Sequence, residues 1–509
     1  MIDEHHNLPE KNRRFSNLIP QHHRICGTMW NELMMEFEDS KMLLGAAIVL
    51  FSCVLLWGNF SPSHTLTIEQ DIASEDNRPI EENNRPWVNK DGTPCSLEAK
   101  EAKQNQGQVI SLVSYNVLGP EHGEHAKHNY TPMKLRKWKK RREMLFKEMR
   151  RYKADIYCLQ EVTIKTLEDD WKPFFTANWG SVHQPKILPE WLESMPPCSG
   201  KKLPQKWLGV AIFYNKEKFL CLASKQVLIR DFCKDIDNEF MKLNEKSDAA
   251  AMLLLQDKRA GTKFVVVNMH NFFDPWFPDT KACQVAGVAR ALQIFLNDMV
   301  LEGVLSPDEK EKVHIIFCGD MNSVPYVQEE WLPGNKEMRY YQTKDIEILE
   351  SSDKFALGRN VPESAEDMSA VYALLHFGEV RPSHVQHPDA LHLHRTTAAA
   401  TKDSPGKQGG LAEKEGSSKG SAAGRSVGLL EGPRGLRNLY MEGDGRMHLP
   451  SFTTKTNVFC ATIDYLWGTK DVVVEQLLQF PENTERFSPV PNQFWGSDHL
   501  ALGVTFSFR

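Results

Sequence analysis

Short apolar runs that end in polar residues constrain the fold of this chain more than any other feature. They alternate with stretches of helical periodicity at about residues 134–152 and 280–301. Such runs indicate buried strands, and strands that alternate with helices predict a layered α/β architecture. The runs occupy residues 109–119, 155–159, 207–215, 249–256, 263–270 and 313–325.

The last of these runs, from Val313 to Pro325, has the sequence VHIIFCGDMNSVP. Its β-branched residues and terminal glycine predict a buried strand that reaches the edge of a sheet. Asp320 and Asn322 are two positions apart, so in extended backbone their side chains lie on the same side. A carboxylate and an amide placed together suit water activation or phosphate binding. An Asp/Asn turn after a strand would give the same pattern.

Other predicted strands also end in polar residues. Each has an ordinary structural explanation, but a buried core rarely carries so many ionisable groups at strand ends unless they act together. The residues are Asn116, Glu161, His270, Asp320, Asn322, Asp464, Asp498 and His499. Carboxylate and amide oxygens suit a hard cation such as Mg²⁺, and a histidine beside an aspartate can stabilise developing negative charge. The set therefore predicts a metal-assisted phosphodiesterase or phosphatase.

Three histidines, His122, His125 and His128, lie at a spacing of three in the loop after the first strand of the domain. No helical pattern underlies them, and ligand spacing alone is a weak indication of a metal site. We therefore interpret them as loop residues.

Charge and cysteine usage exclude some classes of protein. A net charge of -6 and a pI near 6.3 argue against a protein that coats nucleic acid with basic surface. A polyanionic substrate would therefore be held locally. The ten cysteines include no CxxC pair, and Cys158 and Cys318 fall within apolar strands. We interpret them as free thiols rather than a disulfide framework or a zinc site.

The segment 42–60, MLLGAAIVLFSCVLLWGNF, carries no charge. A bilayer core needs roughly 20 apolar residues, so we expect a single transmembrane helix here and a single-pass membrane protein. A buried core helix is the alternative, and the absence of a small-residue cleavage site disfavours a signal peptide. The few basic residues near the span do not fix its orientation. Unpaired cysteines favour a cytosolic catalytic domain.

Composition also divides the chain into segments. Residues 1–41 are polar and of mixed charge, and residues 61–106 lack an apolar period, which predicts a disordered tether. The catalytic domain is expected over residues 107–509. Within it, residues 381–447 are rich in Gly, Ser, Ala, Lys and Glu, so we expect a disordered insertion there.

Six ordered motifs carry a resemblance to a known family: YNVL, LQEV, NMHNFFDP, CGDMNSVP, TIDYLW and SDHLAL. Their order resembles that of the endonuclease/exonuclease/phosphatase superfamily. The HxxxDP loop and the PNQFWGSDHL ending resemble its deadenylase branch, which includes carbon-catabolite-repression poly(A) nucleases, nocturnin and Angel proteins. The resemblance covers about residues 109–509 without the insertion. It implies a four-layer α/β sandwich with two central mixed β-sheets, preceded here by the expected transmembrane helix.

The resemblance also implies roles for the metal and for the attacking water. Glu161 resembles the principal magnesium ligand, with Asn116 beside it and Asp498 supporting the metal site. Asp320 matches the residue that orients or deprotonates the attacking water. Asn322 matches the residue that fixes the phosphate and the metal.

Further roles concern the transition state and the substrate. Asp464 and His499 resemble the dyad that stabilises the pentacovalent transition state. His270 matches a histidine that contacts phosphate. Pro275 and Phe459 fall where deadenylases sandwich the terminal adenine.

Three functional hypotheses follow. The first is a membrane-anchored, Mg²⁺-dependent 3′ exoribonuclease of deadenylase type, with Mn²⁺ as an alternative metal. It would act on RNA 3′ ends, including poly(A), and would contact a membrane through residues 42–60. The second is a phosphatase or phosphodiesterase for nucleotide cofactors, cyclic-phosphate RNA ends or phospholipid head groups. The third is an inactive membrane-bound adaptor, which the complete acidic set disfavours.

Overall fold

Two mixed β-sheets that face each other form the centre of the fold. The structure is a computed structural model. It describes residues 85–89, 93–107, 109–187, 207–238, 240–327, 364–393, 395, 426–441, 449–457, 459–481 and 487–509. All of these residues belong to the unit Arg78–Arg509.

The strands follow in chain order. They are β1 (Trp87–Asn89), β2 (Pro94–Cys95), β3 (Ile110–Asn116), β4 (Ile156–Gln160), β5 (Trp179–Pro185), β6 (Gly209–Asn215), β7 (Phe219–Leu228), β8 (Ala249–Asp257), β9 (Lys263–His270), β10 (His314–Asp320), β11 (Glu379–Val380), β12 (Leu430–Glu431), β13 (Leu436–Asn438), β14 (Thr454–Lys455), β15 (Cys460–Ala461), β16 (Asp464–Thr469), β17 (Val472–Leu478) and β18 (Leu502–Phe508).

The α-helices of the described residues are α1 (Leu97–Asn105), α2 (Pro120–Gly123), α3 (Met133–Arg136), α4 (Trp138–Tyr152), α5 (Ile164–Thr166), α6 (Lys172–Phe175), α7 (Pro278–Leu301), α8 (Pro307–Lys312) and α9 (Ala370–Phe377). Shorter helical turns occupy Ala126–His128, Leu167–Trp171, Ile229–Phe232 and Leu243–Glu245.

The first sheet has the strand order β2-β1-β17-β18-β3-β4-β6-β5, and the second has the order β13-β16-β10-β9-β8-β7. Each sheet contains a parallel pair, β3 with β4 in the first and β9 with β10 in the second. Neighbours outside these two pairs are antiparallel. The prediction of two mixed sheets is therefore confirmed.

Apolar side chains fill three layers of core. Cys158 and Ile212 of the first sheet pack between the sheets against Val266 and Ile316 of the second. The outer face of the first sheet packs against α4, and the outer face of the second packs against α7 and α9. Because strand side chains alternate between faces, sheets buried on both sides require strands that are apolar almost throughout. The helix, sheet, sheet and helix layers give the expected four-layer sandwich.

A buried amide pair joins the two sheets. Gln160 at the end of β4 donates through Nε2 to Oδ1 of Asn268 in β9 at 2.7 Å. Asn268 in turn donates through Nδ2 to the carbonyl oxygens of Leu159 and Ala211, each at 3.0 Å. Polar groups buried between sheets are costly unless they are paired, so these bonds fix the sheets in one mutual register.

The membrane prediction is the part of the fold prediction that has to be corrected. Among the described residues no helix has both the length and the apolar character to cross a bilayer. Even the longest of them, α7, carries charges at Asp279, Lys281, Arg290 and Asp298 and packs on the second sheet. Residues 42–60 lie outside the described residues. The transmembrane helix and the single-pass membrane location are therefore not supported, and we withdraw both.

The folded unit also extends beyond the expected domain boundary at residue 107. Trp87 of β1 is 1% exposed, belongs to the core outside the first sheet, and pairs with Leu478 of β17. Within the expected insertion 381–447, β13 forms an edge of the second sheet through its pairing with β16. Both segments therefore contribute strands. Residues 1–41 and 396–425 lie outside the described residues.

Gly319 permits the close approach of the two parallel strands of the second sheet. Its φ is +140°, and a Cβ at this position would overlap the carbonyl oxygen of Met269 in β9. We expect Gly319→Ala to lower the free energy of unfolding by more than about 3 kcal/mol, because β10 would have to move away from β9. Chemical denaturation measures this change.

Gly303 provides a matched control, since it also has a positive φ, +72°, but faces open space. Gly303→Ala should cost about 1–2 kcal/mol from backbone conformation alone. Equal losses for the two variants would contradict the close-packing explanation of Gly319.

Candidate active site

The polar residues predicted from strand ends meet at one edge of the sandwich. Asn116 is the last residue of β3, and Glu161 directly follows β4. In the second sheet His270 and Asp320 end β9 and β10 and are register partners, and Asp320 also lies opposite Asp464 of β16. The carboxyl ends of both parallel pairs therefore converge here, where open α/β sheets commonly place their ligands.

Asp320 lies at the centre of this edge and is 1% exposed. Its Oδ1 accepts a hydrogen bond from the backbone N–H of Asn322 at 2.8 Å. Its Oδ2 accepts one from Nδ2 of Asn116 at 2.9 Å, so this contact crosses from the first sheet to the second. The Nε2 atoms of His270 and His499 lie 3.6 and 3.8 Å from the same Oδ2. Two imidazoles therefore flank one carboxylate oxygen.

His499 and Asp464 form a hydrogen-bonded pair. His499 donates through Nδ1 to Oδ2 of Asp464 at 2.8 Å, and Thr453 donates through Oγ1 to the same oxygen at 2.6 Å. Burial disfavours the imidazolium, but the carboxylates of Asp464 and Asp320 outweigh burial and raise the pKa of His499 to about 10. Its Nε2 thus carries a proton at neutral pH and faces Asp320.

The pKa of Asp320 is displaced in the direction expected of a buried base. Burial first, and the negative charge of Asp464 second, raise the pKa of this carboxyl to about 7. His270 is displaced the other way, since burial holds its pKa well below the usual range and keeps the ring neutral. A strongly perturbed carboxyl in a cluster of polar groups is characteristic of functional sites.

Glu161 is held by three donors. Its Oε2 accepts the backbone N–H of Gly119 at 2.7 Å and Nδ1 of His122 at 2.9 Å, and its Oε1 accepts Nδ2 of Asn116 at 3.3 Å. Burial opposes ionisation of Glu161, but the charge of His122 outweighs it and holds the pKa well below its usual range. Because Oδ1 of Asn116 accepts the N–H of Leu118 at 3.0 Å, Asn116 turns its amide nitrogen, not its oxygen, toward the carboxylates.

Asp498 supplies an oxygen that is available to a ligand. It is 5% exposed, and its Oδ1 has no hydrogen-bond partner among the described residues. Its Oδ2 lies 3.6 Å from Nε2 of His128 and 3.9 Å from Nζ of Lys127. Oδ1 also lies 3.9 Å from Nε2 of His499. A buried carboxylate oxygen without a hydrogen bond fits a hard cation.

A second group of ligand atoms also lies within reach of one ion. Atoms of Asp320, Asp464 and His499 all lie within 4.8 Å of one another. However, Nδ1 of His499 and Oδ2 of Asp464 already bond to each other, so this group offers few free lone pairs. Of the three residues predicted at the metal site, Glu161 and Asp498 offer carboxylate oxygens, the donor type that a hard cation prefers, whereas Asn116 turns its amide nitrogen toward the carboxylates.

Three non-glycine residues at this edge have left-handed backbone. Leu118, Glu161 and Asn322 have φ values of +52°, +64° and +47°. Such conformations cost of order 1–3 kcal/mol each and persist where surrounding structure holds them. They turn the chain sharply at the ends of β3, β4 and β10.

Asn322 therefore reaches the site by a different route from the one expected. β10 ends at Asp320, so the two side chains do not project from one extended strand. Instead, the Nδ2 of Asn322 donates to the carbonyl oxygen of Asn271 at 3.2 Å, and its own carbonyl accepts from Nζ of Lys281 at 2.6 Å. These bonds join the end of β10 to the loop after β9 and to α7.

Pro275 and Phe459 lie on two loops near the same edge. Pro275 is half-buried in the loop after His270, and Phe459 is half-buried in the turn between β14 and β15. Phe459 packs on a small cluster that contains Val324, two residues beyond Asn322. Their role in holding an adenine stays a prediction.

The sequence interpretation left out residues that support this site. His122 contacts Glu161, His128 approaches Asp498, Thr453 holds Asp464, and Lys281 holds Asn322. The spacing of three among His122, His125 and His128, directly after the first predicted active-site strand, was a signal for the two histidines. No sequence pattern near Thr453 or Lys281 indicates that these residues support the site.

Comparison with known proteins agrees with this geometry. Residues 113–326 match the model of the Endonuclease/Exonuclease/phosphatase family. The Ccr4 subunit of the CCR4-Not complex 3'-5'-exoribonuclease from Candida albicans is 30% identical over 243 residues, 45% of this chain and 29% of that protein. The Yarrowia lipolytica Ccr4 subunit is 28% identical over 416 residues, 79% of this chain and 48% of that protein.

A further relative, RNA exonuclease NGL1 of Saccharomyces cerevisiae, is 28% identical over 255 residues, 43% of this chain and 67% of that protein. The chain thus spans only 29% to 48% of the length of the first three Ccr4 relatives.

The solved structure of ANGEL2, a 2',3'-cyclic phosphatase, in complex with adenosine-2',3'-vanadate has the same fold. Its TM-score is 0.50 at 17% identity, over 83% of this chain and 98% of that structure. These findings support the predicted resemblance to the deadenylase branch of the endonuclease/exonuclease/phosphatase superfamily, with the family match itself confined to residues 113–326.

Proposed function

We propose that this protein is a Mg²⁺-dependent 3′ exoribonuclease of deadenylase type, which hydrolyses phosphodiester bonds at RNA 3′ ends. The observation that carries the proposal is the environment of Asp320. This buried carboxylate has a pKa near 7 and lies beside two imidazoles, where carboxylates from both sheets converge. A general base works best when its pKa is near the operating pH.

In this proposal Asp320 orients the attacking water and accepts its proton. Asn116 and the backbone N–H of Asn322 donate to the two oxygens of Asp320 and so fix the direction of its lone pairs. The Nδ2 of Asn322 and the neutral ring of His270 bind the non-bridging oxygens of the scissile phosphate. Holding water and phosphate in line accounts for much of the rate enhancement in such reactions.

The dyad of His499 and Asp464 stabilises the charge that develops on the phosphorane. His499 carries a proton on Nε2, and Asp464 and Thr453 keep its ring in one orientation. A donor already aligned with the developing charge needs no reorganisation during the reaction. Pro275 and Phe459 hold the terminal base, which we propose to be adenine.

Enzymes of this family are metal-dependent, and the donor set here suits Mg²⁺, with Mn²⁺ as an alternative. Glu161 and Asp498 would hold the ion, and Asn116 would orient Glu161 through its amide nitrogen. When bound, the cation polarises a phosphoryl oxygen and offsets negative charge on the leaving oxygen. His122 contacts the carboxylate of Glu161, and His128 lies near that of Asp498, so both histidines would help to position the two carboxylates.

Chelation should therefore abolish hydrolysis, and added Mg²⁺ should restore it. We expect Glu161→Gln to raise the Mg²⁺ concentration for half-maximal rate at least about tenfold, because one charged ligand is lost. Titration of the rate with Mg²⁺ measures this change. Glu168→Gln is the control, since Glu168 is exposed and pairs with Lys172 on the surface. Full activity in excess chelator would refute the metal assignment.

The substrate is tested by offering the full chain and Mg²⁺ a panel of phosphate esters. The panel contains oligo(A), mixed-sequence RNA, RNA with a 2′,3′-cyclic phosphate end, NADPH and sphingomyelin. We expect stepwise shortening of oligo(A) from its 3′ end with release of AMP. Release of inorganic phosphate from NADPH or from the cyclic end, without shortening of RNA, would replace the exonuclease proposal with a phosphatase. Hydrolysis of nothing in the panel would leave the adaptor hypothesis.

A further inference from the structure

An exposed aromatic side chain stands on the loop that leaves the active site. Phe273, three residues after His270, is 70% exposed, compared with 46% for Phe377 on α9. Isolated exposed apolar residues are common on protein surfaces and need no explanation by themselves. The position of Phe273 is unusual because the residues around it are fixed to the catalytic edge.

The backbone before Phe273 is anchored on two sides. The N–H of Asn271 donates to the carbonyl oxygen of Asp320 at 2.9 Å. The N–H of Phe272 donates to Oε1 of Gln284 in α7 at 2.8 Å, and Nδ2 of Asn271 donates to the carbonyl of Lys281 at 3.2 Å. Because consecutive Cα atoms are 3.8 Å apart, the Cα of Phe273 lies within about 8 Å of that of Asn271. The exposed side chain of Phe273 therefore lies on a backbone segment that is hydrogen-bonded in place next to Asp320.

The surroundings of Phe273 are aromatic and cationic. Its ring lies 5.2 Å from that of Phe272, measured between centroids, and Phe272 lies 5.9 Å from Phe277. The ammonium of Lys246 lies over these rings, 4.1 Å from the centroid of Phe272 and 5.5 Å from that of Phe277. Phe272, Phe277 and Lys246 are half-buried, so they support the exposed ring of Phe273 from below. An exposed ring near a basic side chain is characteristic of surfaces that bind single-stranded nucleic acid, in which bases stack and phosphates approach cations.

We propose that Phe273 is the stacking platform for the RNA base that adjoins the terminal one, and that Lys246 neutralises a phosphate on the same path. The inference rests on the proposed exonuclease function and deepens it. Pro275, two residues further along the loop, would contact the terminal base, as proposed above. Since every base has a π-face, stacking on Phe273 adds affinity for RNA longer than one nucleotide without selecting its sequence.

Binding is tested in the full chain with Asp320→Asn, so that the RNA is not consumed. Fluorescently labelled oligo(A) and oligo(U) are titrated by anisotropy, with AMP as a competitor that occupies the terminal position alone. We expect Phe273→Ala to weaken binding of both oligomers by about 5- to 150-fold and to leave binding of AMP unchanged. Phe273→Tyr should keep the parent affinity, and Phe273→Leu, which is apolar but not aromatic, should not.

Leu301→Ala is the matched control, because Leu301 is 85% exposed at the far end of α7. A 2-aminopurine placed next to the terminal nucleotide gives an independent readout, since its emission changes when it leaves the stack of neighbouring bases for the ring of Phe273, and Phe273→Ala should abolish that change. Equal affinity of the Ala and Tyr variants for the oligomers would overturn the inference. So would an equal loss of AMP binding in Phe273→Ala, which would indicate a disturbed loop.

The binding experiment and the exonuclease assay can fail independently of each other. If the native chain hydrolyses no RNA but Phe273 still governs binding of oligomers, the proposed function fails and the stacking platform stands. If RNA is shortened and Phe273→Ala leaves both KM and oligomer affinity unchanged, the function stands and the platform is refuted.

Discussion

Asp320→Asn should lower the rate of hydrolysis by about 10²- to 10⁴-fold while leaving the fold intact. Asparagine has the same shape and can still accept the N–H of Asn322, but it cannot take a proton from water. The substitution removes one acceptor for Nδ2 of Asn116. It also removes a buried carboxylate whose ionisation is opposed by burial and by the charge of Asp464. We expect these changes to offset, so that the free energy of unfolding shifts by less than about 2 kcal/mol.

Single-turnover cleavage of labelled RNA and thermal unfolding, measured on the same preparation, give the two quantities. Asp257→Asn is the matched control, because Asp257 also ends a strand, at the opposite end of the second sheet, and its carboxylate accepts the N–H groups of Arg259 and Ala260 in the following turn. Turnover of the Asp320 variant at the native rate would remove Asp320 from the mechanism. Loss of the folded state would show that the carboxylate is structural.

The second large effect concerns the dyad. His499→Gln and Asp464→Asn should each lower kcat by about 10²- to 10³-fold, because either change removes an aligned proton donor from the developing phosphorane charge. Asp464 acts through the ring of His499, so the double variant should be no slower than the slower single variant. KM should change little in all three.

Steady-state kinetics of the native chain, the two single variants and the double variant complete this cycle. His314→Gln serves as the control, since His314 begins β10 at the far end of the same sheet and stacks on Phe508. If the two single effects multiply in the double variant, Asp464 and His499 act independently and the dyad interpretation fails.

The strand-end residues could be predicted because burial of a strand leaves a local signature. β3, β9 and β10 are buried almost throughout, and their sequences are mostly apolar before Asn116, His270 and Asp320. Runs of this kind indicate strands with both faces buried, and the polar residue that ends each run marks where the buried part of the strand ends. The layer architecture followed from the same runs and the helical stretches between them.

The orientation of side chains within the site could not be predicted in the same way. Asn116 presents its nitrogen because the backbone of Leu118, at φ +52°, points its N–H at Oδ1. His122 and Glu161 are 39 residues apart, and only the folded chain brings them together. Asn322 was expected on an extended strand, and the left-handed turn after Asp320 has no periodic signal.

The short strand β1 could not be predicted for a related reason. β1 has three residues, too few for a period, and it lies in a segment whose composition is mostly polar. Its only local mark is Trp87, a large apolar residue in polar surroundings, which is 1% exposed in the fold. Besides its neighbour β2, β1 pairs with β17, which lies almost 390 residues further along the chain, and nothing near Trp87 indicates that pairing.

The position of β18 has a consequence for how the protein is made. β18 lies inside the first sheet, between β17 and β3, although it follows the other strands of the described residues in the chain and is synthesised after them. Until residues 502–508 emerge, β3 and β17 are left with open edges, which are prone to pair with other chains. The nascent chain therefore carries Asn116 and Glu161 long before it can hold them in place, and Asp498 and His499 arrive immediately before the strand that closes the sheet. A chain that lacks residues 502–508 would therefore be prone to aggregation and inactive, and would not be merely a weakened enzyme.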